Sequence, residues 1–373
     1  MNFAERTNPG LRLIRPYVPG KPVQELLREG RRSGSRLPRV VKMASNENPL
    51  GMSPAARRAM RRAARSAHQY PESSAPMLRD ALAAAVGLPP EQLIVGNGAD
   101  AVIWCLGMAL LDDGDQAVVP DATFPLYETI CRAMRAEVVR SRMDGYRIDL
   151  EDMLRRITSR TKAVWLCNPN NPTGTLVAAE DFVRFYERVP PSVFVIHDEV
   201  YGDFASPELF PDTVEMIRQG AENLFLLRSC SKLYGMAGLR VGYGVGAAEL
   251  IGLMTRARPP FDVSVPAQEA ARAALKDRRF VRRTLSLNRR GMGYLTSELH
   301  RLGLRWAPSE TNFLLLDTGR DSREVCRRLE GFGIIARAAD KYGYPNHIRV
   351  TVGRKAHNRR FVRALEQICS SRC

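Results

Sequence analysis

Lysine is scarce in this sequence. Of its 56 basic residues only seven are lysines (Lys21, Lys42, Lys162, Lys232, Lys276, Lys341 and Lys355), so chemistry that needs a primary amine has few places to reside. Metal ligands are thin as well. Five histidines, and seven cysteines with no Cys-x-x-Cys pair, argue against a zinc site, and the odd cysteine number argues against a disulfide framework, so no metal is expected. No apolar run approaches the length of a bilayer span, and the first residues carry no apolar signal core. The expectation is a cytoplasmic protein without a membrane partner. Acidic residues are outnumbered 40 to 56, which leaves a formal charge of +16 and raises polyanions and anionic small molecules as partners. Pairs such as Arg31-Arg32, Arg57-Arg58, Arg61-Arg62 and Arg289-Arg290 are spread along the chain without a dense tail. That spacing favours a solvated arginine-rich surface over a nucleic-acid patch.

What is present is an alternation of short apolar runs and helical stretches. Runs at 93–95, 116–119, 136–140, 163–167, 193–197 and 224–227 read as strands, and segments such as 101–111 and 150–157 between them read as helices. This order argues for a mostly parallel α/β sheet. Turn-forming strings follow several of the runs: Gly96-Asn97-Gly98-Ala99-Asp100, Asn168-Pro169-Asn170-Asn171-Pro172-Thr173-Gly174 and Asp198-Glu199-Val200-Tyr201. Ligands bind at the mouth formed by the carboxyl ends of such strands. A glycine loop opening a helix suits a phosphate, although many such loops are only tight turns.

The stretch around Lys232 is the most informative. An apolar run leads into Ser229-Cys230-Ser231-Lys232 and then Gly235-Met236-Ala237-Gly238-Leu239-Arg240-Val241-Gly242-Tyr243. Hydroxyls, glycine amides and a guanidinium are what a phosphate requires. A lysine on a desolvated turn loses its proton more easily and can attack an aldehyde. Together they suit pyridoxal 5'-phosphate, an aldehyde cofactor that carries a phosphate. An isolated Ser-x-Lys more often belongs to a solvated basic loop. The other lysines, however, lie beside prolines, at strand edges or in charged stretches.

This string resembles the Schiff-base segment of fold-type-I pyridoxal phosphate aminotransferases, most of all the histidinol-phosphate aminotransferase branch. The likeness runs from Tyr17 to Leu365, with the motifs in the family's order. It implies a large cofactor domain at 46–262, an N-terminal arm at 1–45 that joins the small domain, and a small C-terminal domain at 263–373. Lys232 is then the cofactor lysine and the proton carrier, and Asp198 faces the pyridine nitrogen. Tyr201 and Asn171 hold the phenolic oxygen, and Phe124 stacks on the ring. Ala99, Asp100, Ser229, Ser231 and Arg240 surround the phosphate. Tyr70, in Tyr-Pro-Glu, reaches the neighbouring site of a homodimer. Substrate contacts fall to Tyr17, Asn171, Arg337 and Arg349, the last matching the arginine that takes a substrate carboxylate. The implied reaction is transamination between histidinol phosphate and 2-oxoglutarate. An aromatic or specialised amino acid aminotransferase, a threonine-phosphate decarboxylase of the same fold and a basic regulatory protein with a relic enzyme fold are the alternatives. Two positions depart from the pattern. Ala101 stands where relatives carry a polar residue. Asp262 replaces an asparagine, and a carboxylate there bears on substrate preference.

Overall fold

Runs rich in Val, Ile and Leu, too apolar for a half-solvated sheet, are explained by a sheet covered on both faces. The computed structural model describes residues 6–16, 18–32 and 39–370. Its main sheet has seven strands, in spatial order Leu93–Asn97, Val241–Val245, Leu224–Ser229, Phe194–Asp198, Thr161–Cys167, Gln116–Pro120 and Glu137–Ser141. Only Val241–Val245 runs against the others. One face packs Leu78, Leu82, Phe182, Phe185 and Val195. The other packs Ile103, Leu106, Tyr127, Ile130, Trp165 and Phe225.

The antiparallel strand is absent from the sequence reading because Gly242 and Gly244 give it the look of a loop. Both glycines are required by close approach. A Cβ on Gly242 would lie 2.1 Å from the Ala99 amide nitrogen, and one on Gly244 would lie 2.3 Å from the Phe225 ring.

A second, antiparallel sheet has the order Arg305–Trp306, Phe313–Asp317, His347–Thr351 and Arg337–Ala338. Its core gathers Leu295, Leu299, Leu314, Leu316, Val325, Ile348 and Phe361. Val41–Lys42 lies parallel to Ile334–Ile335, so the end of the arm is tied to this second unit. Packing changes later than the boundary at 262. The helix Val265–Leu275, started by the Ser264 hydroxyl accepting from the Ala267 amide, packs on Pro54–Ala63. It adds Ala267, Ala270, Ala271 and Ala274 to the first core. The 24-residue helix Arg278–Arg301, capped by Asp277, then carries the chain into the second unit. No helix among the described residues is long and apolar enough to cross a membrane.

Candidate active site

The carboxyl ends of the main-sheet strands enclose a cavity of about 170 Å³. Its lining includes Ala99, Asp100, Phe124, Asn171, Asp198, Tyr201, Ser229, Ser231, Lys232 and Arg240, so the structure brings together all ten of these sequence-derived candidates.

Asp198 ends its strand and is buried. The Tyr127 hydroxyl donates to Oδ2 at 2.5 Å, and the Val200 amide donates to Oδ1 at 3.0 Å. Burial pushes the carboxyl up to about 6, against the pull of these two donors. Such a group would be held ionised by a cation placed opposite it.

Lys232 lies just past Leu224–Ser229. Its Nζ donates to the Ser45 carbonyl at 3.3 Å and sits 5.7 Å from the centre of the Tyr201 ring. Desolvation, helped by the positive charge of Arg349, brings the amine down to about 8. The Tyr201 hydroxyl accepts from Asn46 Nδ2 at 2.8 Å, which leaves its own proton free to be donated into the cavity.

The opposite wall is built for an anion. The helix Gly98–Leu110 starts there with Gly98 at φ +78°, and a Cβ on Gly98 would meet Arg240 Nη2 at 2.2 Å. Arg240 itself adopts the left-handed conformation, φ +54°. Its Nη1 donates to the Ala237 carbonyl at 3.1 Å and its Nη2 to Asp100 at 3.0 Å. The buried Ser229 hydroxyl accepts from the Ser231 amide at 3.1 Å. Backbone donors at a helix start, two serines and a guanidinium therefore converge on one side of the cavity.

Arg349 is buried in the strand His347–Thr351. One terminal nitrogen donates to Asn171 Oδ1, the other to the Ala44 carbonyl at 2.8 Å, and Nε has no partner among the described residues. A buried guanidinium whose described partners are an amide and a carbonyl calls for an anion. Arg337 is not in this cavity. Its Nη2 donates to the Val18 carbonyl at 2.7 Å, and it lines a wider groove of about 750 Å³ with Arg15, Pro125, Arg132 and Arg323. Phe124 lines the cavity and the next residue, Pro125, lines the groove. Tyr17 lies outside the described residues. Tyr70 is not brought to this chain's cavity. It is 83% exposed and stacks on Phe261 at 4.7 Å.

Asp262 has a local role. It accepts from the Asn97 amide at 2.7 Å, and its carbonyl accepts from Asn97 Nδ2 at 2.9 Å. This brackets the start of the helix Gly98–Leu110 and does not put a carboxylate into the cavity. Ala101 does not line the cavity either.

Sequence reasoning missed Tyr127 and Asn46. Tyr127 stacks on Trp165 at 4.8 Å and fixes Asp198. Tyr127 shares the buried face of the amphipathic helix Leu126–Ala133 with Ile130 and Cys131, and a tyrosine on such a face needs a partner for its hydroxyl, which was the available signal. Asn46 stands in Ser45-Asn46-Glu47-Asn48-Pro49, and nothing local to it points at Tyr201. No cluster of metal-ligating side chains occurs among the described residues.

The sequence profile of the family described as aminotransferase class I and II matches residues 38–365. Histidinol-phosphate aminotransferase of Moorella thermoacetica is 44% identical over 95% of this chain and 91% of its own length. The enzyme of the same name from Symbiobacterium thermophilum is 43% identical over 95% and 96%. Among solved structures, histidinol-phosphate aminotransferase from Sinorhizobium meliloti in complex with pyridoxal-5'-phosphate superposes with a TM-score of 0.86. It shares 26% identity and covers 98% of this chain and 97% of its own.

Proposed function

The chain belongs to the class I and II aminotransferases, and from that premise we propose that it transfers an amino group from histidinol phosphate to 2-oxoglutarate using pyridoxal 5'-phosphate. The observation that carries the reading is the cavity that holds a lysine lowered to about 8, a buried aspartate and an anion cradle together. The residues fit the cofactor. Ser229, Ser231, Arg240 and the amides at Ala99 and Asp100 would take its phosphate, and the closeness of Gly98 to Arg240 leaves no room for a side chain on that glycine. Phe124, set edge-on to Tyr127 at 5.6 Å, would cover one face of the ring.

Bound pyridoxal phosphate supplies an aldehyde that accepts the amine and a ring that takes up carbanion charge. Lys232 would hold the cofactor through that aldehyde. Once displaced by substrate, its Nζ would take the proton from the substrate α-carbon and return it at the cofactor's C4′. Asp198, oriented by Tyr127 and Val200, would keep a proton on the ring nitrogen. Tyr201 would donate to the phenolic oxygen. Asn171 would offer Nδ2 to the same atom, since Arg349 already occupies its Oδ1. Arg349 would bind the carboxylate of the oxo acid, and Arg337, with Tyr17 from the arm, would contact the substrate's distal anion.

The same reading makes the active unit a homodimer in which Tyr70 reaches the partner's cofactor. It divides the chain into an arm to residue 45, a cofactor unit and a smaller C-terminal unit, and packing supports moving the boundary from 262 to the start of Arg278–Arg301. The six described cysteines are free, which suits the reducing cytoplasm. The test is spectroscopic. Histidinol phosphate should discharge the visible absorption of the cofactor-loaded protein, and 2-oxoglutarate should restore it. If histidinol phosphate leaves the spectrum unchanged while phenylalanine or tyrosine discharges it, the substrate assignment is wrong.

A further inference from the structure

The hairpin formed by Met143–Asp144 and Arg147–Ile148 projects Tyr146 toward the second sheet. This hairpin lies outside the cofactor cavity, and no catalytic role draws attention to it. Tyr146 nevertheless contacts a close neighbour of each partner in the Arg349–Asn171 hydrogen bond: Thr175 on the side of Asn171 and His347 on the side of Arg349. Its backbone carbonyl accepts from Thr175 Oγ1 at 2.9 Å. The Thr175 carbonyl in turn accepts from the Asn170 amide at 2.9 Å, which sets the backbone one residue before Asn171. At the other end, the Tyr146 hydroxyl and His347 Nε2 are 2.9 Å apart. His347 and Arg349 are alternate residues of one strand, so their side chains share a face. The opposite ring nitrogen of His347, Nδ1, is buried without a partner among the described residues, so the Tyr146 hydroxyl is the one hydrogen bond they give that imidazole.

The surroundings fix the tyrosine in place. Its ring lies 5.7 Å from Tyr344 and 5.6 Å from His347. The Tyr344 hydroxyl donates to the Gly145 carbonyl at 3.0 Å, clasping the hairpin tip from the second unit. Ala307, Leu315 and Ala339 pack beneath, and Leu315 is the register partner of Arg349. One residue thus joins the loop that carries Asn171, through its backbone carbonyl, to the strand that carries Arg349, through its hydroxyl.

We propose that Tyr146, acting with His347, is a positioning residue that sets the Arg349–Asn171 spacing and through it the affinity for the carboxylate of the oxo acid. The proposal rests on the reading of Arg349 as the carboxylate-binding arginine. A guanidinium recognises a carboxylate through paired donors in a fixed fork, so small errors in its placement weaken binding without altering the proton transfers at Lys232.

The holoenzyme is titrated with maleate, an unreactive dicarboxylate, following the cofactor's absorption, and KM and kcat are measured with 2-oxoglutarate. Tyr146→Phe should raise both the maleate Kd and the 2-oxoglutarate KM by about three- to ten-fold, the net worth of one hydrogen bond. The kcat should stay within about two-fold. His347→Leu should reproduce that shift, and the double variant should add nothing to either single change, as expected of two partners in one bond. His347→Gln, which returns a polar group near the Nε2 position, should restore binding. The proposal is overturned if Tyr146→Phe leaves Kd and KM unchanged, if kcat falls instead, or if the two substitutions are additive. Arg349→Lys separates this failure from failure of the underlying reading. If Arg349→Lys does not weaken maleate, the carboxylate assignment itself is wrong and the proposal goes with it.

Discussion

At the scale of single residues, the site depends on two groups that burial moves in opposite senses along the pH scale. Lys232 is brought down to about 8 and Asp198 up to about 6, so near neutral pH the amine is partly unprotonated and the carboxylate is mostly ionised. Capture of pyridoxal phosphate by the cofactor-free protein needs the neutral amine. Its rate should therefore rise with pH through a midpoint near 8 and vanish in Lys232→Ala, as followed by stopped-flow absorbance. Asp198 gives a stability prediction of definite sign. Its folded value lies above the ordinary 3.8, so the folded state holds the proton more tightly than the unfolded chain between 3.8 and about 6. The stability associated with the neutral acid is present below 3.8 and is lost as pH rises through about 6. Melting temperatures of the cofactor-free protein should show wild type losing ground to Asp198→Asn across that window, with a constant difference above it. Activity of Asp198→Asn should fall roughly 100- to 1000-fold, as when a fixed electrostatic stabiliser is removed from an active site.

At the scale of elements, the anion cradle exists because the strand Val241–Val245 and the helix Gly98–Leu110 approach so closely that Gly242 sits against the Ala99 backbone. Gly242→Ala forces these two backbones apart. Overpacking of this kind costs about 1–3 kcal/mol. The prediction is a lower melting temperature together with weaker binding of pyridoxal phosphate, measured by fluorescence titration, while Gly238→Ala, which has open space around it, should leave both unchanged. The same strand shows where the sequence stops being legible. The parallel strands announced themselves as apolar runs, and the residues at their carboxyl ends stood in motifs, so the ten cavity residues could be named beforehand. Val241–Val245 could not, because glycines selected for close approach look like a turn. Tyr127, Asn46 and His347 were equally hidden. Their partners are 71, 155 and 201 positions away, and only tertiary packing brings them together. Asp262 misled for the same reason, since its partner Asn97 is 165 positions distant.

At the scale of the whole molecule, surface ion pairs such as Arg142–Asp149 at 2.7 Å and Arg301–Glu366 at 2.9 Å leave the excess of 56 basic over 40 acidic residues untouched. Each pair is worth little to stability, and it is the net charge of +16 that keeps copies of the chain apart in solution, the two-fold interface argued below excepted. The exposed aromatics call for a different account. Tyr70 lies almost wholly in solvent against Phe261, and Phe261 adopts a left-handed conformation, φ +59°. A strained backbone that presents stacked rings to water makes sense if a second copy covers them. A two-fold interface is isologous, so whatever one copy gives its partner it also receives. If Tyr70 completes the partner's site, Tyr70→Ala and Lys232→Ala fail in different ways. A dimer of one of each has one site with both residues intact and one with neither. Dissociating and reassociating an equal mixture makes half the dimers mixed, each with one of two sites whole, so activity should return to about a quarter of wild type. Each variant carried alone through the same treatment should recover none of it. Sedimentation should show dimers throughout. If the mixture does no better than the two variants' average, Tyr70 serves its own subunit or no site at all, and the shared-site reading fails while the assignment of Lys232 stands.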